Sequence, residues 1–216
     1  MASGALPSDP AHYYLIDVHH EAWCALAHGG PWCDCDPEVR CWRLALMPDR
    51  MYLGIDPGLS GAVAVLADDG ALVAFYDTLT LTLRTSRGTR QEYDVPGLVA
   101  LLQPYTGPQT HVVLEESQAM PGQGTRSMFT GGLGFGVWLG MLGTMGLAYP
   151  RIRPHVWKRS LGLTRDKEQA RLRAMQLFPT ADLRRKRDHG RTEALLLAWW
   201  GWQRRGVAEA GHGWAV

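Results

Sequence analysis

Three carboxylates in this chain stand where a side chain can be both supported and exposed: Asp56 in GIDPG, Glu115 in VVLEES and Glu193 in DHGRTEALLLA. Asp56 follows a short apolar run and precedes a Pro-Gly turn, so its carboxylate can face a metal or phosphate that approaches the backbone closely. Glu115 ends a second apolar run. His189 and Glu193 lie four residues apart at what reads as a helix start, which puts them on one helix face. Asp188, just ahead of them, is positioned as the N-cap. Singly, each residue has a structural explanation: a turn aspartate, a strand-end glutamate with Glu116 as its exposed neighbour, a surface histidine, a glutamate paired with Arg191 or another base one turn away. Jointly, two strand-end carboxylates and an acidic helix start, backed by apolar runs, form the oxygen-rich arrangement that two hard divalent cations need.

The elements that must hold these groups follow from short-range pattern. Tyr52 to Asp56, Gly61 to Leu66 and Leu72 to Asp77 are short, apolar and separated by PGLS and DDG turn signals, which predicts an antiparallel three-stranded meander. Asp94 to Leu102 has an N-cap Asp, an early Pro and an apolar stripe, and reads as a helix. His111 to Ser117 reads as a buried strand. Gly131 to Leu147 has helical length but carries glycines at 131, 132, 134, 136, 140, 143 and 146, which would let neighbouring backbone come close at a cost in helix stability. A short strand (Ala148 to Arg153) and helices near Pro154 to Leu161, Asp166 to Phe178 and Asp188 to Arg205 complete the order βββ, α, β, α, β, then helices. RTSRGTR, from Arg84 to Arg90, reads as a polar, basic loop that stays mobile until it meets a partner.

Composition bounds the function. At 216 residues and 23.9 kDa the chain can bury one full core, and its 46% hydrophobic and 20% charged residues are ordinary for a globular protein. No apolar run reaches the length that spans a membrane, and MASGALPSDPAHYY has neither the character of a secretory signal nor that of a transit peptide, so a cytoplasmic setting in a bacterial or phage-infected cell is the expectation. The formal net charge of +1 conceals an uneven distribution: residues 151 to 205 hold 15 of the 22 Lys and Arg against 5 of the 21 Asp and Glu. A cationic segment beside a carboxylate cluster suits an enzyme acting on a polyanion, because phosphate neutralisation supplies most sequence-independent affinity.

Beyond chemistry and composition, an ordered series of motifs resembles a known family. GIDPGLSGAVAV is similar to the first strand and turn of the RuvC-type Holliday junction resolvases. LEES, GGLGFGVWLGML, HVWKRSLGL with DKEQA, then LFP and RKRDHGRTEALLLAWWG, resemble the monokaryotic-chloroplast branch of that family and its bacterial and phage relatives. The resemblance runs from about Tyr52 to Arg205. It implies an RNase H-like α/β fold with a mixed five-stranded sheet flanked by helices, a homodimer, and paired symmetric nicks across a four-way DNA junction. It assigns catalytic, metal-binding roles to Asp56, Glu115, His189 and Glu193, with Lys158 near the scissile phosphate. Where bacterial relatives end the site with an Asp pair three apart, this chain has Gly190 and Glu193, with His189 one residue earlier; His189 then either binds metal or orients water.

The mechanism so implied is phosphodiester hydrolysis with two Mg2+ (or Mn2+) per site, one activating water and the other stabilising the leaving 3′ oxygen. Candidate phosphate contacts are Arg84, Arg87, Arg90, Arg126, Lys158, Arg159, Lys167 and the run Arg184, Arg185, Lys186, Arg187. Phe129 is a candidate for stacking at the crossover, with core packing as its alternative. Trp138, Trp157, Trp199 and Trp200 fall in helical patterns and read as core or dimer interface.

Residues 47 to 216 form the expected nuclease domain, and residues 1 to 46 a Cys- and His-rich extension. There Cys24, Cys33, Cys35 and Cys41, with His19, His20 and His28, offer the ligand types of a structural Zn2+ site, at a spacing that matches no standard finger; incidental free cysteines are the alternative. Competing functions are a nuclease of the same fold acting on RNA-DNA hybrids or flaps, and a junction-binding protein without catalysis. Sugar kinases and actin-like ATPases also open with a GIDPG-type strand, but they need a second comparable lobe that this length cannot supply.

Overall fold

A computed structural model describes residues 50–86, 88–107, 109–119, 121–185 and 188–205. The extension 1–46 with its candidate zinc ligands, and the candidate phosphate contacts Arg87, Lys186 and Arg187, lie outside the described residues. Described residues 50–99 and 105–205 belong to one compact unit.

Five strands form the main sheet: β1 (Met51–Asp56), β2 (Ala62–Ala67), β3 (Leu72–Asp77), β6 (Thr110–Glu115) and β7 (Arg151–Ile152), in the order β3-β2-β1-β6-β7. The first three make the antiparallel meander, while β6 joins β1 in parallel and β7 joins β6 in parallel, so the sheet is mixed as expected. The residues of β1 are buried until Asp56, and those at the centre of β6 are buried until Glu115. Each strand therefore carries its carboxylate out of the core at its C-terminal end.

Helices α1 (Val95–Leu102), α2 (Thr125–Thr144), α3 (Pro154–Ser160), α4 (Lys167–Leu177) and α5 (His189–Gln203) complete the fold. The Asp94 carboxylate accepts from Gly97 N at 3.0 Å, the N-cap read from sequence, and Asp166 caps α4 in the same way through Glu168 N. Helix α5 lies on β1 and β2 at backbone contact. A Cβ on Gly54 would overlap the carbonyl oxygen of Ala194 and the nitrogen of Ala198, so glycine facing alanine lets helix and strand close up. Ala194 to Ala198 are wholly buried as a result. Gly54→Ala is expected to cost about 2 to 3 kcal/mol, because backbone on both sides must yield; a urea midpoint equal to the parent's refutes the packing argument.

Four expectations need correction. Arg84 and Arg90 stand on paired strands and not in a loop: β4 (Thr80–Thr85) and β5 (Gly88–Tyr93) form a separate two-stranded hairpin, with Leu83 opposite Arg90 and Arg84 opposite Thr89. Its strands are largely exposed; Leu79, Leu81 and Leu83 alternate with threonine into and along β4, but β5, GTRQEY, has no apolar residue before Tyr93 to mark a partner strand. Helix α2 starts six residues earlier than Gly131, at Thr125, and ends at Thr144. The predicted strand Ala148 to Arg153 shrinks to Arg151–Ile152, which pairs with Leu114 and Glu115 at the β6 edge. Asp188 occupies the N-cap position of α5, but its side chain caps nothing; it accepts instead from Arg185 N and Nε at 2.9 and 3.0 Å.

Candidate active site

Register decides where the first two carboxylates meet. Ile55 stands opposite Leu114 in the parallel β1–β6 pair, so Asp56 and Glu115, each one residue further, sit side by side at the same edge and on the same face. Gly54 shares that face with Asp56, and α5 covers it. The close approach at Ala194 accordingly brings the preceding residue, Glu193, to the same edge. The turn after β1 is held by Gly61 N on Gly58 O at 2.9 Å, and Gly58 N donates to Asp56 Oδ1 at 3.2 Å.

Electrostatics record the convergence. Burial, then the charge of Glu193, push the Asp56 carboxyl up to about 6, against opposing pulls from Gly58 N–H, Lys158 and Lys167. Burial, then Glu193 and Asp56, push Glu115 up to about 8, with Trp157 and Lys158 pulling the other way. Three carboxylates thus act on one another at one point of the sheet edge. Burial and the Asp56 charge also raise Tyr93 to about 12, which keeps its hydroxyl protonated and donating to Pro57 O at 3.0 Å.

Helix α3 supplies the opposing donors. Lys158 Nζ lies 2.6 Å from Glu193 Oε1, both side chains 18% exposed, and Trp157 Nε1 donates to Glu115 Oε2 at 2.8 Å. Glu193 is therefore paired with Lys158, not with Arg191, whose guanidinium clamps Asp77 at the end of β3. His189 opens α5, half-buried, one turn before Glu193. At Gly190 a Cβ would overlap the carbonyl oxygen of Ser60, so the turn after β1 leaves no room there for an aspartate.

Among the described residues no three or more His, Cys, Asp or Glu side chains stand arranged as a finished metal cage. The donor set still fits a hard divalent cation: three carboxylates, mutually repelling, with Lys158 in ion-pair contact with Glu193.

The candidate phosphate contacts divide. Lys158, Arg159 and Lys167 line one cleft of about 400 Å³, which Gln118, His155, Thr164 and Arg165 share. Arg84 and Arg90 lie on the exposed hairpin, with Arg90 paired to Glu92. Arg126 is exposed in the first turn of α2, and Phe129, one turn on, is 72% exposed, so core packing does not explain it. Arg184 pairs with Asp182, and Arg185 with the buried Asp188; burial raises the Asp188 carboxyl, but Arg185 outweighs it and holds it below the usual range. Trp138, Trp157 and Trp200 are buried, and Trp199 stacks on Trp202. Sequence pattern missed three contributors: Tyr93, Trp157 as a donor rather than core alone, and Arg165.

The fold is that of RuvC, in the RNase H-like class. A Thermus thermophilus RuvC structure, in complex with a Holliday junction substrate, aligns with a TM-score of 0.51 at 15% identity over 76% of this chain and 97% of that one. A second T. thermophilus RuvC structure aligns with a TM-score of 0.48 over 75% of this chain. Sequence similarity reaches a particular relative, the chloroplastic Holliday junction resolvase MOC1 of Chlamydomonas reinhardtii. The chain is 36% identical to it over 91 residues, 40% of this chain but 10% of the relative's length. No family model matches the chain.

Proposed function

We propose that this protein is a structure-selective DNA endonuclease that resolves four-way junctions by paired, symmetric nicks, working as a homodimer with two Mg2+ or Mn2+ ions per active site in a nuclease domain of residues 47 to 216. The single observation that carries the reading is the meeting of Asp56, Glu115 and Glu193 at one sheet edge beside a basic cleft.

Asp56, Glu115 and Glu193 would hold the ions, with His189 as a further ligand or as the group that orients water. So held, divalent ions supply a lowered water pKa and stabilisation of charge on the leaving 3′ oxygen. The chain's own residues do the positioning. Lys158 stands between the carboxylates and the cleft, where its ammonium can pass from Glu193 to a phosphate oxygen. Arg159, Arg165 and Lys167 line the same cleft and neutralise the strand on either side, while the burial of Asp56 and Glu115 limits bulk water at the reacting phosphate. Phe129, exposed near the start of α2, is suited to stacking on unpaired bases at the crossover. The homodimer reading draws on the same helix, whose outer face carries Leu133 at 52% exposure beside Gly132, Gly136 and Gly140, where an added Cβ meets nothing. No helix among the described residues is long and apolar enough to cross a membrane.

The deciding assay compares synthetic four-way, three-way, flap, linear and RNA-DNA hybrid substrates, with and without Mg2+. Paired nicks on the four-way junction, dependent on Mg2+ and lost in Asp56→Asn, are expected. Preferential cutting of flaps or hybrids transfers the reading to a related nuclease, and tight junction binding without cutting transfers it to a binding protein.

A further inference from the structure

Trp157 is wholly buried, in the core cluster that includes Ile152, Leu163, Ala170 and residues 194 to 198 of α5. Its position is fixed on more than one side. Trp200 Nε1 donates to Ser160 Oγ at 2.8 Å, and Ser160 Oγ donates to Trp157 O at 2.9 Å, so the end of α3 is bonded to α5. A side chain held this tightly has one polar atom, and that atom donates to Glu115 Oε2 at 2.8 Å.

The chemistry of the donor is informative. An indole N–H carries no charge and cannot accept. It therefore fixes one oxygen of Glu115 without cancelling the negative charge, unlike the Lys158 ammonium one residue along, which neutralises Glu193. Glu115 keeps its other oxygen for a cation, and the indole adds no positive charge to repel one. Core packing alone asks for apolar volume; it does not require a nitrogen aimed at a carboxylate.

Resting on the metal-dependent reading above, we propose that Trp157 is a positioning residue: its indole N–H orients the Glu115 carboxylate so that the free oxygen faces the cation shared with Asp56. Hydrogen-bonded partners of this kind set ligand direction, and their loss commonly weakens metal binding by about 10- to 100-fold. The role places a demand on residue 157 that neighbouring core positions do not share.

The test measures Mn2+ binding by calorimetry, without DNA, in the full-length chain. Trp157→Phe is expected to bind Mn2+ about tenfold more weakly. Because the smaller ring also leaves a cavity, a second variant carries 3-benzothienylalanine at 157, which keeps the bicyclic shape and removes only the donor; it is expected to lose the same affinity with little change in melting temperature. Both effects should vanish in a Glu115→Gln background, where no carboxylate remains to orient. If the unmodified protein binds Mn2+ while both variants bind it equally well, or if the loss persists undiminished with Glu115→Gln, Trp157 is core packing and the inference is overturned alone. If the unmodified protein binds no Mn2+, the metal-dependent reading falls and takes this inference with it.

Discussion

Glu115→Gln is expected to destroy cutting and to stabilise the metal-free protein at the same time. Activity should fall by about a thousandfold or more, since a lost metal ligand removes several kcal/mol of transition-state charge stabilisation. Stability should move the opposite way because Glu115 is held at a cost: burial and the charges of Glu193 and Asp56 raise its carboxyl from 4.5 to about 8. The sign follows from proton counting. Between those two values the folded state holds more protons than the unfolded one, so stability falls as pH rises through the window. Asp56, raised from 3.8 to about 6, adds to the same slope over its lower part. Unfolding of the chain in EDTA should therefore show stability falling steadily between pH 4.5 and 8, by several kcal/mol, with most of that slope removed by Glu115→Gln. Added Mg2+ should restore stability most at the upper end, where the carboxylates are ionised and ready to bind it. Stability that climbs with pH across this window in EDTA would contradict the crowded-carboxylate picture directly.

That the candidate site was legible in the sequence at all has a physical cause. Asp56 and Glu115 end apolar runs, and a buried strand leaves its terminal residue one place to go. The spacing of His189 and Glu193 is a helix period, which survives any detail of packing. What joined these pieces was not legible: the β1–β6 register that sets Asp56 beside Glu115 depends on pairing across more than fifty residues, and the approach of α5 depends on Gly54 meeting Ala194 and Ala198. Glycine at 54 reads locally only as a weak strand residue. The β4–β5 hairpin escaped although leucine and threonine alternate along β4, because both strands are largely exposed and β5 carries threonine, arginine, glutamine and glutamate with no apolar residue before Tyr93. Tyr93 escaped with it, since its role comes from the hydroxyl that meets Pro57 O, and from Gly134 of α2, which leaves room for that ring. Trp157 was read as core or dimer interface, and its burial bears out the first, but the pattern said nothing of its chemistry. A tryptophan's burial follows from its pattern, whereas the partner of its one N–H depends on the fold.

The cation between the two halves of the site yields the second large effect. Lys158 Nζ contacts Glu193 Oε1, lies 5.0 Å from the centre of the Trp157 ring, and also lines the basic cleft. Under the proposed function one ammonium would serve two kinds of anion, the carboxylate in the free protein and a backbone phosphate once DNA occupies the cleft. While it sits on Glu193 it competes with any metal for that carboxylate. Lys158→Met should therefore bind Mn2+ more tightly than the parent in the absence of DNA, by about tenfold or more, because a half-buried carboxylate beside Asp56 and Glu115 is released from its ion pair. Cutting should nevertheless fall, by about a hundredfold, since no cation remains to meet the scissile phosphate as charge develops on it. DNA should also lose its effect on metal affinity: in the parent, junction DNA draws Lys158 away and tightens Mn2+ binding, whereas in Lys158→Met that gain has already been taken. Calorimetric titration of Mn2+ into both proteins, with and without a junction carrying phosphorothioate linkages that resist cutting, separates the two contributions. Weaker Mn2+ binding by Lys158→Met in the absence of DNA would mean that the lysine supports the metal site instead of competing for it, and the exchange between Glu193 and phosphate would have to be abandoned.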